Sequence, residues 1–361
     1  MAVGGEYAEN SLIQQVAFEE ELHQHAVRFI RARVASGVHC PVIVDHGAAD
    51  GLTTCKLLRE LDGAPFVACL QDLSSNDWNA AAATLASMKL GSGILQPAER
   101  LGEVLASSVS ESCSQQTFVM APGNFFEQVM PTGSVDLSIS GSSYHWLSST
   151  DHLPRPSGIC LDLSRFPAEM RAEWAAQART DWATILSQRA RELKVGGMLM
   201  AIVPCAPCMD GAIDMLTRVF TDFDRRGLLR PDAKVKTGFV LPAYIYRDAT
   251  DLREGFSGLP FAVSVCEVRP RRNSYLPFDG FVDASASAAV AKRQRFGERM
   301  AGWCFGWGAR LIEDALADKG TLSDFRAALG ELFAQNADAE SLAVGMGCGV
   351  VLAKRIADDS S

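Results

Sequence analysis

Short apolar runs alternate with amphipathic segments along the first part of the chain. Three of the first five runs end at a glycine, which is typical of a buried strand. The runs lie at 41–47, 64–73, 117–123, 135–141 and 197–204. Helical spacing or alanine content marks 52–61 and 79–88, and a long helix is predicted over about 167–194, ended by Gly196-Gly197. Its apolar face comprises Trp174, Ala178, Trp182, Ile185, Ala190 and Leu193. Strands that alternate with helices predict a mostly parallel sheet with helices on both faces.

The regular alternation of strands and helices ends after the fifth strand. Two further apolar runs, at 261–268 and 344–354, predict the last strands, and the chain between them is mainly helical. The pattern therefore predicts an α/β fold: a Rossmann-like sheet of seven strands with a helical cap, in a single domain over 1–361. The expected cofactor-binding core is 38–205, and the expected cap comprises 1–30, 206–260 and 270–340.

Composition narrows the range of partners. The 361 residues are 48% hydrophobic and 21% charged, with a net charge of −9, and this acidic balance argues against a nucleic-acid partner. No apolar run approaches the ~18 residues of a membrane span, and the acidic N-terminal segment lacks the plan of a secretory signal. We therefore expect a cytoplasmic protein with neither nucleic acid nor membrane as partner. Cys205 and Cys208 form a C-x-x-C, but a zinc or redox site would need a second pair or nearby histidines.

The loop after the first strand predicts an adenosine site. Residues 45–51 read DHGAADG, in which glycines allow a tight turn and a close approach to the following helix. Asp72 ends the second strand, where a carboxylate can accept hydrogen bonds from both ribose hydroxyls. Neither G-x-G-x-x-G nor G-K-[ST] is present, so a cofactor without phosphates is favoured, and S-adenosylmethionine (SAM) fits. Two alternatives stay open at this point: glycines that serve only the turn, and a nicotinamide-dependent oxidoreductase.

Several motifs in register resemble the SABATH family of SAM-dependent carboxyl methyltransferases, which includes salicylate, jasmonate and indoleacetate methyltransferases and the caffeine synthases. They are YAENSLIQ (7–14), VDHGAADG (44–51), CLQDLSSNDWN (69–79), APGNFFEQVMP (121–131), HWLS (145–148) and RARELKVGGML (189–199). The resemblance implies a class I methyltransferase fold. It also implies SAM as methyl donor, S-adenosylhomocysteine (SAH) as product, a small carboxylic acid as substrate and a possible homodimer.

The resemblance also implies roles for individual residues. The predicted cofactor-binding residues are Tyr7, Ser11, Asp45, Gly47, Ala48, Gly51, Thr53, Asp72, Leu73, Asn124, Phe125 and Ser140. Gln14, His145 and Trp146 are predicted to clamp the acceptor and to be catalytic. The chain departs from the family pattern at Ser142 and Tyr144, which puts an altered wall in the predicted pocket. Met215 and Trp303 are further substrate-binding candidates, from the cap that covers the acceptor in this family.

The predicted chemistry needs orientation more than it needs a base. A carboxylic acid with a pKa of ~4.3 is already an oxygen nucleophile at neutral pH. Since its charge is neutralised in the transition state, uncharged donors such as an indole N–H, a carboxamide or a neutral imidazole are preferable to a cation. N-methylation of a heterocycle and a non-catalytic, ligand-binding relative stay open as alternatives. The positions that match the magnesium site of some family members are Pro156, Thr237 and Val240, a poor ligand set, so no metal is expected.

Overall fold

The computed structural model describes residues 11–61, 64–87, 94–96, 105, 116–208, 210–236, 243–245, 248–277, 280–281, 285–318 and 320–358. Within them one sheet contains the strands β1 (Val42–His46), β2 (Phe66–Asp72), β3 (Ile94–Gln96), β4 (Gln116–Pro122), β5 (Val135–Gly141), β6 (Leu193–Cys208), β7 (Phe261–Arg272) and β8 (Val344–Arg355). The helices are α1 (Leu12–Phe18), α2 (Gln24–Ala35), α3 (Leu52–Arg59), α4 (Trp78–Ser87), α5 (Ala168–Glu192), α6 (Asp210–Arg225), α7 (Ala249–Glu254), α8 (Ala286–Ala315), α9 (Gly320–Gln335) and α10 (Glu340–Ala343). A π-helical turn, Glu19–His23, joins α1 to α2, and 3₁₀ turns lie at Leu163–Arg165 and Lys234–Lys236.

The strand order is β3-β4-β2-β1-β5-β6-β8-β7. The pairs from β3 to β6 are parallel, and β8 is antiparallel to both of its neighbours. The seven predicted strands and the mostly parallel sheet are confirmed. The structure adds β3 at the edge of the sheet, and three residues are too few for any periodicity in the sequence to reveal.

The predicted end of the long helix is wrong. Helix α5 ends at Glu192, and Leu193 is already extended as the first residue of β6. Gly196, with φ +84°, lies inside that strand, where the pairing of β5 with β6 shifts register. A Cβ at Gly197 would lie 2.9 Å from the Lys194 carbonyl oxygen. These glycines therefore allow an irregular strand start rather than a helix cap.

Two apolar cores cover the two faces of the sheet. Along β1, Ile43 belongs to one core and Val42 and Val44 to the other, as the alternation of side chains in a strand requires. The first core is completed by α1, α2, α6, α8 and α9, and the second mainly by α5. Of the predicted apolar face of α5, Trp174, Ala178, Trp182, Ile185 and Ala190 are buried in the second core. Helix α1 thus shares one face of the sheet with α6, α8 and α9 from the predicted cap segments, whereas α7 contributes Leu252 to the opposite core.

The structure also bears on membrane association. Among the helices of the described residues, none combines the length and the apolar character that a bilayer crossing requires.

Candidate active site

Strand order reverses between β1 and β5, at the centre of the sheet. From β1 the chain moves outward through β2, and from β5 it moves outward in the opposite direction through β6. In open α/β sheets a ligand binds in the crevice at the carboxyl ends of the strands where this reversal occurs. Asp45, Asp72 and Gly141 lie at the carboxyl ends of β1, β2 and β5, so the predicted cofactor residues and the HWLS motif are brought to one edge.

The loop between β1 and α3 needs its glycines. Gly47 and Gly51 have φ values of +72° and +74°, in the left-handed region that suits glycine. A Cβ at Gly47 would lie 2.3 Å from the Ser143 Cβ, and one at Gly51 would lie 2.7 Å from a Leu70 methyl group. The amide groups of Gly47 and Ala48 donate to the Gln71 carbonyl oxygen at 2.8 and 3.0 Å. The loop is therefore closely packed and held against β2.

Asp72 has hydrogen-bonding capacity left for a ligand. Its two carboxylate oxygens accept hydrogen bonds from the backbone amides of Ala49 (2.8 Å) and Leu73 (2.7 Å). A carboxylate has roughly four acceptor positions, so about two remain for the hydroxyls of a ribose. The adjacent Leu73 side chain is 48% exposed, which is unusual for a large apolar residue in this chain and suits the face of an adenine base.

Asp45 has a partner that the sequence did not single out. We predicted a role for Thr53, which is half-buried, but the buried hydroxyl of Thr54 is the group that donates to the Asp45 carboxylate. Burial raises the pKa of Asp45 to about 7, and the nearby carboxylates of Asp72 and Asp50 add to the effect. Burial raises the pKa values of Asp72 and Asp50 as well. Such a cluster of carboxyl groups fits a ligand that carries positive charge and hydroxyl groups, as SAM does.

Asp45 should make the stability of the protein depend on pH. Its pKa is near 7 in the folded chain against 3.8 as the ordinary value, so its stabilising contribution is present below about pH 4 and is lost as the pH rises through 7. The difference corresponds to roughly 4 kcal/mol. Because an amide still accepts the Thr54 hydrogen bond but never ionises, Asp45→Asn is expected to be more stable than the wild type at pH 8 and to lose that advantage toward pH 5. Urea unfolding without cofactor measures this, with the exposed Asp151→Asn as control, and a stability difference constant from pH 5 to 8 would contradict it.

Serines tie the end of β5 to β1. The hydroxyl of Ser143 donates to the His46 carbonyl oxygen at 2.7 Å and lies 2.7 Å from the Ser140 hydroxyl. Ser140 and Ser143 are buried, so the predicted cofactor residue Ser140 bonds within the protein rather than standing open in the crevice. Between them Ser142 adopts a φ of +108°, which is rare outside glycine and marks the sharp turn into the following residues.

The turn after β5 separates its three ring-bearing residues. Tyr144 is buried in the second core, with its ring centroid 5.5 Å from that of Phe125 and 6.0 Å from that of Trp182. His145 and Trp146 are only partly buried, with ring centroids 5.0 Å apart. Both the Tyr144 and the Phe125 rings contact other side chains of the core. The substrate-binding role of Tyr144 and the adenine contact of Phe125 therefore stay predictions.

His145 is uncharged at neutral pH. Burial lowers its pKa to about 4, and a hydrogen bond with the Ser142 backbone opposes this effect only in part. The His145 carbonyl oxygen accepts a hydrogen bond from the Tyr244 amide at 2.8 Å, and Trp146 forms an isolated bridge with Ala243. These backbone contacts hold the two rings at the mouth of the sheet.

Helix α1 brings Gln14 to the same edge. A Cβ at Gly141 would lie 3.7 Å from the Phe18 ring and 4.0 Å from the Thr53 methyl group, so α1 packs over the end of β5. Gln14 and Phe18 are one turn apart and share a face of the helix. The Gln14 Oε1 is buried and has no hydrogen-bond partner within the described residues.

The remaining predicted residues lie in different surroundings. Ser11, at the start of α1, is buried, and its hydroxyl accepts a hydrogen bond from Gln15 at 2.9 Å. The Asn124 side-chain oxygen accepts a hydrogen bond from the Phe126 amide at 3.1 Å. Met215 and Trp303 are nearly fully buried in the first core, on the same face of the sheet as α1. Tyr7 lies outside the described residues.

A buried ion pair that sequence reasoning missed supports the crevice from below. Arg189 and Glu192 of α5 are fully buried and paired, and Arg189 also donates to the Phe125 carbonyl oxygen at 3.1 Å. Glu192 accepts hydrogen bonds from the Val129 and Met130 amides at 2.6 and 3.1 Å. The pair therefore fixes the loop after β4, and a charged pair inside the RARELK motif was the available signal.

Possible metal ligands and one surface cavity bear on the predicted site residues. No group of three or more His, Cys, Asp or Glu side chains in the described ranges could hold a metal ion, and the expectation of no metal stays a prediction. A cavity of about 400 Å³ is lined by Ile13, Val16, Ala17, Glu20, Arg271, Arg272, Asn273, Ser274 and Leu276. Gln14 is not part of its lining.

Comparisons with known proteins agree with this architecture. The family described as SAM dependent carboxyl methyltransferase matches residues 4–255. Indole-3-acetate O-methyltransferase 1 of Oryza sativa subsp. japonica is 31% identical over 150 residues, or 39% of this chain and 36% of that protein. Farnesoic acid carboxyl-O-methyltransferase of Arabidopsis thaliana is 26% identical over 52% of this chain and 50% of that protein. These alignments thus span a third to a half of the curated relatives.

A solved structure extends the likeness of fold to the whole chain. The structure titled loganic acid methyltransferase with SAH matches 99% of this chain and 98% of its own, with a TM-score of 0.68 and 15% sequence identity. That identity supports the fold alone, and the family assignment rests on the match over 4–255, which covers well over half of the chain. The class I methyltransferase fold predicted from the resemblance is confirmed. The chain belongs to the SAM-dependent carboxyl methyltransferase family.

Proposed function

We propose that this chain transfers the methyl group of SAM to the carboxylate of a small aromatic or otherwise apolar acid, giving the methyl ester and SAH. The observation that carries the proposal is Gln14: a carboxamide on the face of α1 that packs over the end of β5, with a buried oxygen that no described residue engages. An amide can turn to present its NH₂ group, so this side chain is free to donate to an acid that enters the crevice.

Uncharged donors suit the proposed reaction. At neutral pH the acid is ionised and needs no base. When bound, SAM supplies an electrophilic methyl group on a sulfonium sulfur. The proposed donors that orient one carboxylate oxygen are Gln14, Trp146 and a neutral His145. Because they carry no charge, they stabilise the anionic ground state less than an arginine would. Orientation of this kind contributes up to ~7–11 kcal/mol to the lowering of a barrier.

The body of the acid would lie against the cap. Met215 and Trp303 belong to the apolar core on the same face of the sheet as α1 and would supply apolar surface. The named relatives act, by their titles, on indole-3-acetate and farnesoic acid, and an acid with a largely apolar body is the acceptor class we carry over to this chain.

The product of a labelled reaction tests the proposal. The full chain is incubated with methyl-labelled SAM and a panel of aromatic, indolic, terpenoid and fatty acids, together with nitrogen heterocycles. We expect label in a product that releases labelled methanol in mild base, as an ester does. Label that resists base would instead identify N-methylation. Stabilisation by a nicotinamide cofactor and not by SAM would place the chain in another class, since a ligand at 100 times its Kd adds ~2.7 kcal/mol of stability.

We also propose a homodimer, on the analogy of the family, and, from the composition of the sequence, a cytoplasmic location and the lack of nucleic-acid or membrane partners. Sedimentation of the purified chain checks the first.

A further inference from the structure

Two indole N–H groups of the cap are buried without a hydrogen-bond partner. Trp303 and Trp307 lie one turn apart on α8, with ring centroids 5.3 Å apart and ring planes at 71°. Both Nε1 atoms are sealed from solvent and bond to nothing in the described part of the chain. The indoles of Trp174 and Trp182, by contrast, donate to backbone carbonyl oxygens at 3.0 and 2.8 Å. Within the described ranges, the Trp174 and Trp182 indoles are thus hydrogen-bonded and those of Trp303 and Trp307 are not.

The contact between the two rings can satisfy at most one of the two N–H groups. An edge-to-face pair can aim the N–H of one ring at the π-face of the other, but the reverse contact is then excluded. At least one N–H therefore has no partner among the residues that the structure describes. Buried polar groups are almost always hydrogen-bonded, so an exception calls for an explanation, of which a ligand is one.

A short segment links the helix of these two indoles to the helix that carries Gln14. Met300 lies on the same face of α8 as the two indoles, because residues three, four and seven positions apart share a face. The Met300 sulfur is 3.4 Å from the Asn273 side-chain amide. Two residues further on, the Tyr275 hydroxyl accepts a hydrogen bond from the Leu12 amide at the start of α1, at 3.2 Å. The open indoles and Gln14 therefore lie on elements that are joined through this short segment.

We propose that Trp303 and Trp307 form a second donor site in the acceptor pocket, for an oxygen of the acid remote from the reacting carboxylate. The inference rests on the proposed function. An indole N–H donates and cannot accept, so the site selects a hydroxyl or carbonyl oxygen on an otherwise apolar body. Since both nitrogens are sealed from solvent, that oxygen reaches them only after the side chains in front of them move. The acceptor class is an oxygenated acid rather than a plain hydrocarbon acid.

Matched pairs of acids test the inference. Cinnamic acid is compared with 4-hydroxycinnamic acid, and dodecanoic acid with 12-hydroxydodecanoic acid, as substrates of the full chain. In at least one pair we expect the wild type to have a higher kcat/KM for the hydroxylated acid than for its plain partner. The double variant Trp303→Phe, Trp307→Phe should reduce the ratio of these two kcat/KM values by at least about tenfold, because sites built to hydrogen-bond a substrate hydroxyl discriminate strongly. Trp174→Phe is the matched control, because its N–H is bonded far from the cap, and it should leave the ratio unchanged.

The failure of this inference differs from the failure of the proposed function. Suppose that acids are methylated. The proposed donor site is then wrong if the double variant keeps the wild-type ratio, or if the wild type shows no preference within either pair. If no acid is methylated, the proposed function fails. In that case the preference is measured by thermal unfolding in the presence of SAH, as the difference between the stabilisation caused by the two acids of a pair. An equal shift in the wild type and the double variant overturns the donor site there too.

Discussion

Asp72→Ala is expected to weaken the binding of SAM by at least about 100-fold while the protein stays folded. Hydrogen bonds to a charged group contribute about 1.5–3 kcal/mol each, so losing two to the ribose hydroxyls removes at least about 3 kcal/mol. The same change removes the acceptor of the hydrogen bonds that the Ala49 and Leu73 amides donate, which would loosen the loop that we propose lies against the ribose. Isothermal titration calorimetry with SAM or SAH measures the effect.

The conservative variant separates the two causes. Asp72→Asn keeps a side-chain oxygen that can accept a hydrogen bond but removes the charge, and we expect a loss intermediate between the wild type and the alanine variant. Asp248→Ala, which removes an exposed helix cap on α7, should leave SAM affinity unchanged. SAM binding by Asp72→Ala within threefold of the wild type would remove Asp72 from the cofactor site.

Trp146→Ala is expected to lower kcat by at least about 100-fold, with the affinity for SAM within about threefold of the wild type. In the proposed reaction the indole would supply one of the uncharged donors that hold the acid in line, and misplacing a bound substrate by even 1 Å can cost about 100-fold in rate. Steady-state methylation of an accepted acid gives kcat, and calorimetry gives the affinity for SAM.

Trp146→Phe identifies the role of the N–H group. Phenylalanine retains the ring that packs beside His145 but has no donor. If the N–H orients the acid, the phenylalanine variant should lose most of the rate that the alanine variant loses. Near wild-type kcat in both variants would show that the acceptor is clamped elsewhere.

The sheet and its crevice could be predicted because the signals there are local. Each apolar run that ends in glycine or aspartate became a strand, and the glycine positions of the first loop, Gly47 and Gly51, carry the positive φ values that such a loop demands. Asp72 is held at its strand end by the Leu73 amide beside it and by the Ala49 amide of the loop after β1. The strand ends and loop glycines that carry these features are themselves visible in the sequence.

The rest depends on direction and packing that a motif does not encode. Thr53 and Thr54 are neighbours at the start of α3, and only the turn of the helix decides that Thr54 reaches Asp45. Tyr144 and Trp146 are two residues apart, yet the unusual backbone at Ser142 sends one ring into the core and leaves the other partly exposed.

The buried charges and the last turn of α5 were hidden for a related reason. An arginine in a charged stretch of helix such as Arg189 is usually exposed to solvent. Here it donates hydrogen bonds to carbonyl oxygens of the loop after β4, which replace those to water. The glycines at 196 and 197 have the composition of a helix cap, and the pairing of β6 with β5 overrides that local preference.

A crystal of the full chain with SAH and an acid that it methylates tests most directly whether uncharged donors hold the acid against the methyl group. We predict a carboxylate oxygen about 2.7–3.2 Å from both the Gln14 side-chain nitrogen and the Trp146 Nε1, with the SAH sulfur facing that oxygen. An acid clamped instead by an arginine or lysine, or a sulfur turned away from Gln14 and Trp146, would contradict it.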